Sequence, residues 1–276
     1  MPYEIVYKIL KNRTMFGEKV NSNLGEQLLA EIMWQKLLEK GFKNDWGLEQ
    51  CIVVADGSGS MFTKASEKTN VRAIDVCNSL AIYFAEQLSG VFHNKAITFS
   101  ARPQFIDLAK GENLKEKLEI MLAYDEVANT NIEAVFMMLL EMAKDNHVPK
   151  EQLPKQILII SDMEFDMATG TRFQRFSFGG EQEMFQQFNQ TLFDKMEKCY
   201  KEAGYQIPRL IFWNVCGRSD TIPKVDNEQG ICLLSGFSQN AMKIAEHREI
   251  KDPYESLLKV LDSKRYDKVE EALKAV

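Results

Sequence analysis

Cysteine is scarce in this chain and never paired locally. The five residues Cys51, Cys77, Cys199, Cys216 and Cys232 are odd in number, widely spaced and mostly in apolar surroundings. No C-x-x-C occurs, which excludes zinc ribbons and thioredoxin-type exchange; the pattern reads as reduced core thiols of a cytoplasmic protein. Long apolar runs are missing too, and nothing approaches the roughly 20 residues of a membrane span. The start, Met1-Pro2-Tyr3-Glu4-Ile5, has neither the basic region nor the apolar stretch of a signal peptide. His93, His147 and His247 stand alone without metal-ligand spacing. G-x-G-x-x-G, G-K-[ST] and G-x-S-x-G are all absent, which removes the dinucleotide, P-loop and nucleophile-elbow readings. There is no internal repeat. The formal net charge of −6 argues against a surface covered in phosphate contacts, although it allows a local basic patch.

What is present suits an α/β protein. A length of 276 residues with 45% apolar content gives room for one large domain and a normal core. Residues 1–47 form a short helical appendage in this reading, and residues 48–276 form the main domain with C-terminal helices. In the appendage, Tyr3–Leu10 and Leu24–Glu39 show helical spacing, with Trp34, Leu37 and Leu38 on one face and an N-cap within Asn21-Ser22-Asn23. So short a segment has no core of its own and is expected to pack against the main domain.

From Cys51 the pattern alternates. Strands are expected at Cys51–Ala55, Lys95–Phe99, Gln104–Asp107, Gln156–Ser161, Arg209–Asn214 and Gly230–Leu234. Helices are expected near Val71–Leu88, Leu114–Leu122, Ile132–Lys144, Glu183–Ala203 and from Gln239 onward. Such alternation implies a mainly parallel sheet covered on both faces. The short link Ser100-Ala101-Arg102-Pro103 implies a hairpin and hence one antiparallel strand.

One stretch carries chemistry. In Ile52-Val53-Val54-Ala55-Asp56-Gly57-Ser58-Gly59-Ser60-Met61, a buried strand feeds a loop that presents a carboxylate and two hydroxyls. These are hard oxygen donors, suited to Mg²⁺, with Mn²⁺ or Ca²⁺ as alternatives, and unsuited to zinc or copper. Thr130 lies just before an amphipathic helix, and Asp162 ends a second strand. In open α/β sheets, ligands bind beyond the carboxyl ends of the strands, where Asp56 and Asp162 both fall. The order D-x-S-x-S, Thr, strand-end Asp is similar to the metal-ion-dependent adhesion site of von Willebrand factor A (vWA) domains. The plainer reading of the first motif alone is an Asp–Ser turn that caps the following helix.

Two neighbouring segments bear on the rim. Glu164 and Asp166 form either a solvated acidic turn or groups that orient the metal's waters. Arg172, Phe173, Arg175 and Phe176 interleave cations with rings, which suits base stacking or seating a peptide; the plainer reading is a loop with tucked aromatics.

Several phrases together resemble a known family. Val53 to Met61, Ile97-Thr98-Phe99-Ser100, Ser161-Asp162-Met163-Glu164-Phe165-Asp166, Ile211-Phe212-Trp213-Asn214 and Leu234-Ser235-Gly236-Phe237-Ser238 are similar to an uncharacterised family of vWA-like proteins from bacteria and their viruses. That family in turn resembles the TROVE, or Ro ribonucleoprotein, group. The resemblance spans roughly residues 1–265 and implies a vWA-like, Rossmann-like, mostly parallel six-stranded sheet in the order 3-2-1-4-5-6. It also implies that residues 1–47 correspond to only the last helices of the Ro helical-repeat domain.

The expected function is a non-catalytic binding module. Asp56, Ser58, Ser60, Thr130 and Asp162 would hold a divalent metal, and an exposed Asp or Glu of a protein partner would complete its shell. RNA is the alternative partner, through the arginine loop and the Ro resemblance. A third reading is a Mg²⁺-dependent phosphotransferase of the haloacid-dehalogenase type, with Asp56 as nucleophile, Ser100 as the later hydroxyl and Asp162 and Asp166 as the downstream pair. Ser58 stands where that chemistry typically needs a second Asp as general acid and base.

Overall fold

A computed structural model of the chain describes residues 1–10, 22–40, 51–66, 69–100, 102–124, 132–162, 194–216 and 231–235. The strands are β1 (Cys51–Ala55), β2 (Lys95–Thr98), β3 (Phe105–Asp107), β4 (Gln156–Ser161), β5 (Arg209–Asn214) and β6 (Ile231–Ser235). The helices are α1 (Pro2–Leu10), α2 (Leu24–Lys40), α3 (Ala73–Gln87), α4 (Leu114–Ala123), α5 (Ile132–Asp145) and α6 (194–202).

The strands form one sheet in the order β3-β2-β1-β4-β5-β6. Every pairing is parallel except β2 with β3, so β3 is the antiparallel edge expected from the Ser100–Pro103 link. The expected count of six therefore stands on five strands described in full and on β6, described through its backbone pairing with β5.

Strand side chains alternate between faces, and the core divides accordingly. Cys51, Val53 and Ala55 of β1, Leu158 and Ile160 of β4, and Ile211 and Trp213 of β5 pack with α1 to α4. Ile52 and Val54, Ile157 and Ile159, and Leu210 and Phe212 pack on the other face with α5 and α6. A strand buried on both sides reads as an unbroken apolar run, which is why β1 and β4 are so plain in the sequence. Both layers lie across the middle of the sheet and leave its strand ends to carry polar groups.

The N-terminal helices share the first of these cores. Ile5, Val6, Ile9, Ala30 and Trp34 are buried in it, and α1 lies against α3. Asn23 caps α2 by accepting from the Glu26 amide at 2.9 Å. The indole of Trp34 donates to Glu86 on α3 at 2.6 Å, and Lys117 of α4 pairs with the same carboxylate. The expected boundary near residue 47 lies outside the described residues.

Candidate functional site

β1 and β4 are adjacent, with Ala55 paired to Ile160, so their next residues meet at the carboxyl end of the sheet. The Asp56 amide donates to the Ile160 carbonyl at 3.1 Å and continues the pairing. Asp56 is buried, 2% exposed. Both of its carboxylate oxygens are engaged: Oδ1 accepts from the Ser58 amide at 2.9 Å, and Oδ2 accepts from the Ser161 hydroxyl at 2.5 Å. The first bond is the local turn that an Asp makes with the amide two residues on.

The chain then tightens into a 3₁₀ turn, Gly59–Phe62, with Met61 buried beneath it. The Ala73 amide donates to the Thr63 carbonyl at 3.0 Å and the Ala65 amide to Val71 at 2.9 Å, which tie the loop to the start of α3. Ser58 and Ser60 are half-buried, and their hydroxyl oxygens lie 3.1 Å apart. The Asp–Ser turn of the plainer sequence reading is present in the Ser58 amide–Asp56 bond, and the helix cap expected with it is not made by Ser58. Ser58 precedes the 3₁₀ turn without a side-chain cap bond, and its hydroxyl lies between Asp56 and Ser60.

Asp162 is buried and follows directly on β4. Burial pushes the Asp56 carboxyl above the ordinary carboxylate range, the bonds from Ser161 and Ser58 oppose that rise, and the charge of Asp162 adds to it. Among the described residues no Lys or Arg pairs with Asp56. Two acidic groups thus converge on one strand-end crevice.

Asp56, Ser58, Ser60 and Asp162 therefore come together. Thr130, Glu164, Asp166, Arg172, Phe173, Arg175 and Phe176 lie outside the described residues. Ser161 is the residue that sequence reasoning passed over. Its signal is position: it is the last residue of β4, and the β1–β4 register brings it beside Asp56. At the neighbouring strand end, Thr98 and Ser100 are buried, and Thr98 accepts from the Gln104 amide at 2.9 Å, closing the hairpin.

The donor set fits a hard cation. Among the described residues no three His, Cys, Asp or Glu side chains gather to hold a metal, and the hydroxyls of Ser58 and Ser60 are the further oxygen donors beside Asp56 and Asp162. Such a set leaves a small divalent ion poorly neutralised and still electrophilic.

A family model for a domain of unknown function, DUF7788, matches residues 50–275. The chain belongs to the DUF7788 family. This DUF7788 chain is 27% identical over 256 residues to an uncharacterized protein of Acanthamoeba polyphaga mimivirus, an overlap of 92% of the chain and 40% of the relative. Among solved structures it is similar to the Deinococcus radiodurans Ro (RSR) protein, with a TM-score of 0.50 and 11% identity, over 89% of this chain and 43% of that one. At that identity the likeness is one of fold. The chain spans less than half the length of either protein. Among the described residues no helix is long and apolar enough to cross a membrane.

Proposed function

We propose that this DUF7788 chain is a non-catalytic binding module that engages an acidic side chain of a protein partner through a divalent cation, Mg²⁺. The hydroxyls of Ser58, Ser60 and Thr130 would hold the ion, with Asp56 and Asp162 beside it. When bound, the ion supplies an open coordination position for an incoming carboxylate. The observation that carries this reading is the buried Asp56 carboxylate, fixed by Ser58 and Ser161, beside a pair of hydroxyls and a second buried aspartate.

The chain's own residues do the positioning. Ser161 and the Ser58 amide prevent Asp56 from turning, and the loop's bonds to the start of α3 hold Ser58 and Ser60 near it. Such preorganisation reduces the entropy lost on binding. A nucleophilic role for Asp56 is less well supported. Each of its oxygens already accepts a hydrogen bond, and Ser58 cannot act as general acid and base near neutral pH.

Calorimetric titration with Mg²⁺ tests the metal. Wild type should bind and the Asp56→Ala/Asp162→Ala double variant should not; equal binding removes the hypothesis. Retention of partners from lysate in Mg²⁺ and in EDTA, with protein and RNA analysed separately, tests the ligand. Carboxylate capture should vanish in EDTA and in Thr130→Ala. RNA held by the arginine loop would survive chelation and fall steeply with salt. Hydrolysis of a generic phosphate ester, lost in Asp56→Asn, would restore the phosphotransferase.

A further inference from the structure

The opposite end of the sheet holds a second site of different character. A cavity of about 520 Å³ opens where Lys155 leads into β4 and Ile207 leads toward β5. Six-residue strands at roughly 3.3 Å per residue put it about 20 Å from Asp56. Its lining includes apolar or aromatic Leu153, Tyr205 and Ile207, and three lysines: Lys150, Lys155 and Lys201.

One wall is fixed. The Tyr205 hydroxyl donates to the carbonyls of Val148 at 2.9 Å and Ala143 at 3.2 Å, which pins the residue to the end of α5. Gly204 takes φ +80°, and a Cβ built on it would lie 3.7 Å from both Cε and Nζ of Lys150. The Lys150 ammonium therefore sits against the turn that ends α6.

Among the described residues none of the three lysines pairs with a carboxylate, and Glu202 of α6 faces Lys198 instead, at 4.0 Å. A simpler account is that these lysines complement helix ends, because α5 and α6 both finish near this edge. Each helix C-terminus carries roughly half a unit of negative charge. Two ends account for about one of the three exposed positive charges, and among the described residues no ion pair compensates the other two. That excess stands out in a chain whose net charge is −6.

We propose that this cavity binds a small organic dianion, a phosphate monoester with a compact apolar or planar body. The volume lies within the range of small-molecule sites, about 300–1,000 Å³. Two phosphate charges match the uncompensated pair of ammoniums, while the half-buried Tyr205 and Ile207 offer apolar surface to the remainder. Lysine suits this task because it binds phosphate as a point charge without demanding one geometry.

Phenyl phosphate is the probe, titrated into the full chain by calorimetry at low ionic strength in EDTA, which removes divalent ions from the other site. Saturable binding is expected, tighter than for inorganic phosphate and weakened by added salt. Lys150→Gln and Lys201→Gln keep most of the side chain and remove its charge, and each should weaken binding about tenfold. Thermal melts of both variants should match wild type, which separates lost binding from lost folding. Absence of saturable binding up to about 10 mM would overturn the proposal. So would equal affinity in the wild type and the Lys150→Gln/Lys201→Gln double variant. Equal affinity for phosphate and phenyl phosphate would overturn the apolar half of the site.

Discussion

Replacing Ser161 with alanine removes one hydroxyl and no packing volume of consequence, yet it strips a donor from a buried carboxylate. Ser161 is fully buried, and its 2.5 Å bond to Asp56 Oδ2 spans two strands. A hydrogen bond to a charged group contributes about 1.5–3 kcal/mol net. At about 2–4 °C per kcal/mol for a chain of this size, the melting temperature should fall by roughly 3–12 °C. The effect carries a pH signature. Burial raises the folded-state pKa of Asp56, so its linkage contribution is fully present below the unfolded pKa and is lost as pH rises through the folded one. Ser161→Ala removes a bond that favours the ionised form and lifts the folded value further, so its loss at neutral pH is larger. Its deficit should be greatest near pH 7 and shrink as pH falls through the carboxylate range. Urea unfolding in EDTA across that range, on wild type, Ser161→Ala, Asp56→Asn and the double variant, measures both the deficit and the coupling. A deficit independent of pH, or no coupling between the two positions, would refute the reasoning.

Three further outcomes follow from the same structure. Trp34→Ala should cost about 3–5 kcal/mol, because a nearly fully buried indole leaves a cavity between α2 and α3; Trp34→Phe should cost less, chiefly the bond to Glu86, and denaturant midpoints separate the two. Gly204→Ala forces a Cβ onto a backbone at φ +80° and should destabilise by about 1 kcal/mol or more in thermal melts. Ser60→Ala should weaken Mg²⁺ binding while leaving metal-free stability within about 0.5 kcal/mol, since its hydroxyl is half-buried and faces Ser58 rather than Asp56; calorimetry and melts read the two effects independently.

Much of the architecture was legible because it is written in local patterns. Fully buried strands appear as short apolar runs, and β1, β4 and β5 fall at the expected residues. Helix ends were less legible. α3 begins at Ala73 and not Val71, because its cap is Arg72 closed on Asp75, a pairing outside the usual Ser, Thr, Asp and Asn. α2 was legible as a helix, but its exposure was not: Leu24, Leu28, Leu29 and Ile32 face outward while Ala30 and Trp34 face the core. At the candidate metal site the motif gave Asp56, Ser58, Ser60 and Asp162, whereas Ser161 required the β1–β4 register, a long-range quantity that no local window contains. The lysine cavity was invisible for the same reason, since positions 150, 155 and 201 share no spacing.

The sharing of one core by α1 to α4 also sets the order in which the molecule can be made. The ribosome delivers Trp34 long before Glu86 and Lys117, its partners across the helix layer. At roughly 5–20 residues per second, the nascent helix pair waits about 4–17 s before α4 is complete. During that wait Ile5, Val6, Ile9 and Trp34 have only part of their layer to enter, which α3 begins and α4 closes. A pause in translation before Ala123 should therefore leave the nascent chain dependent on a chaperone, whereas the same pause after β5, whose Ile211 and Trp213 enter that core, should not.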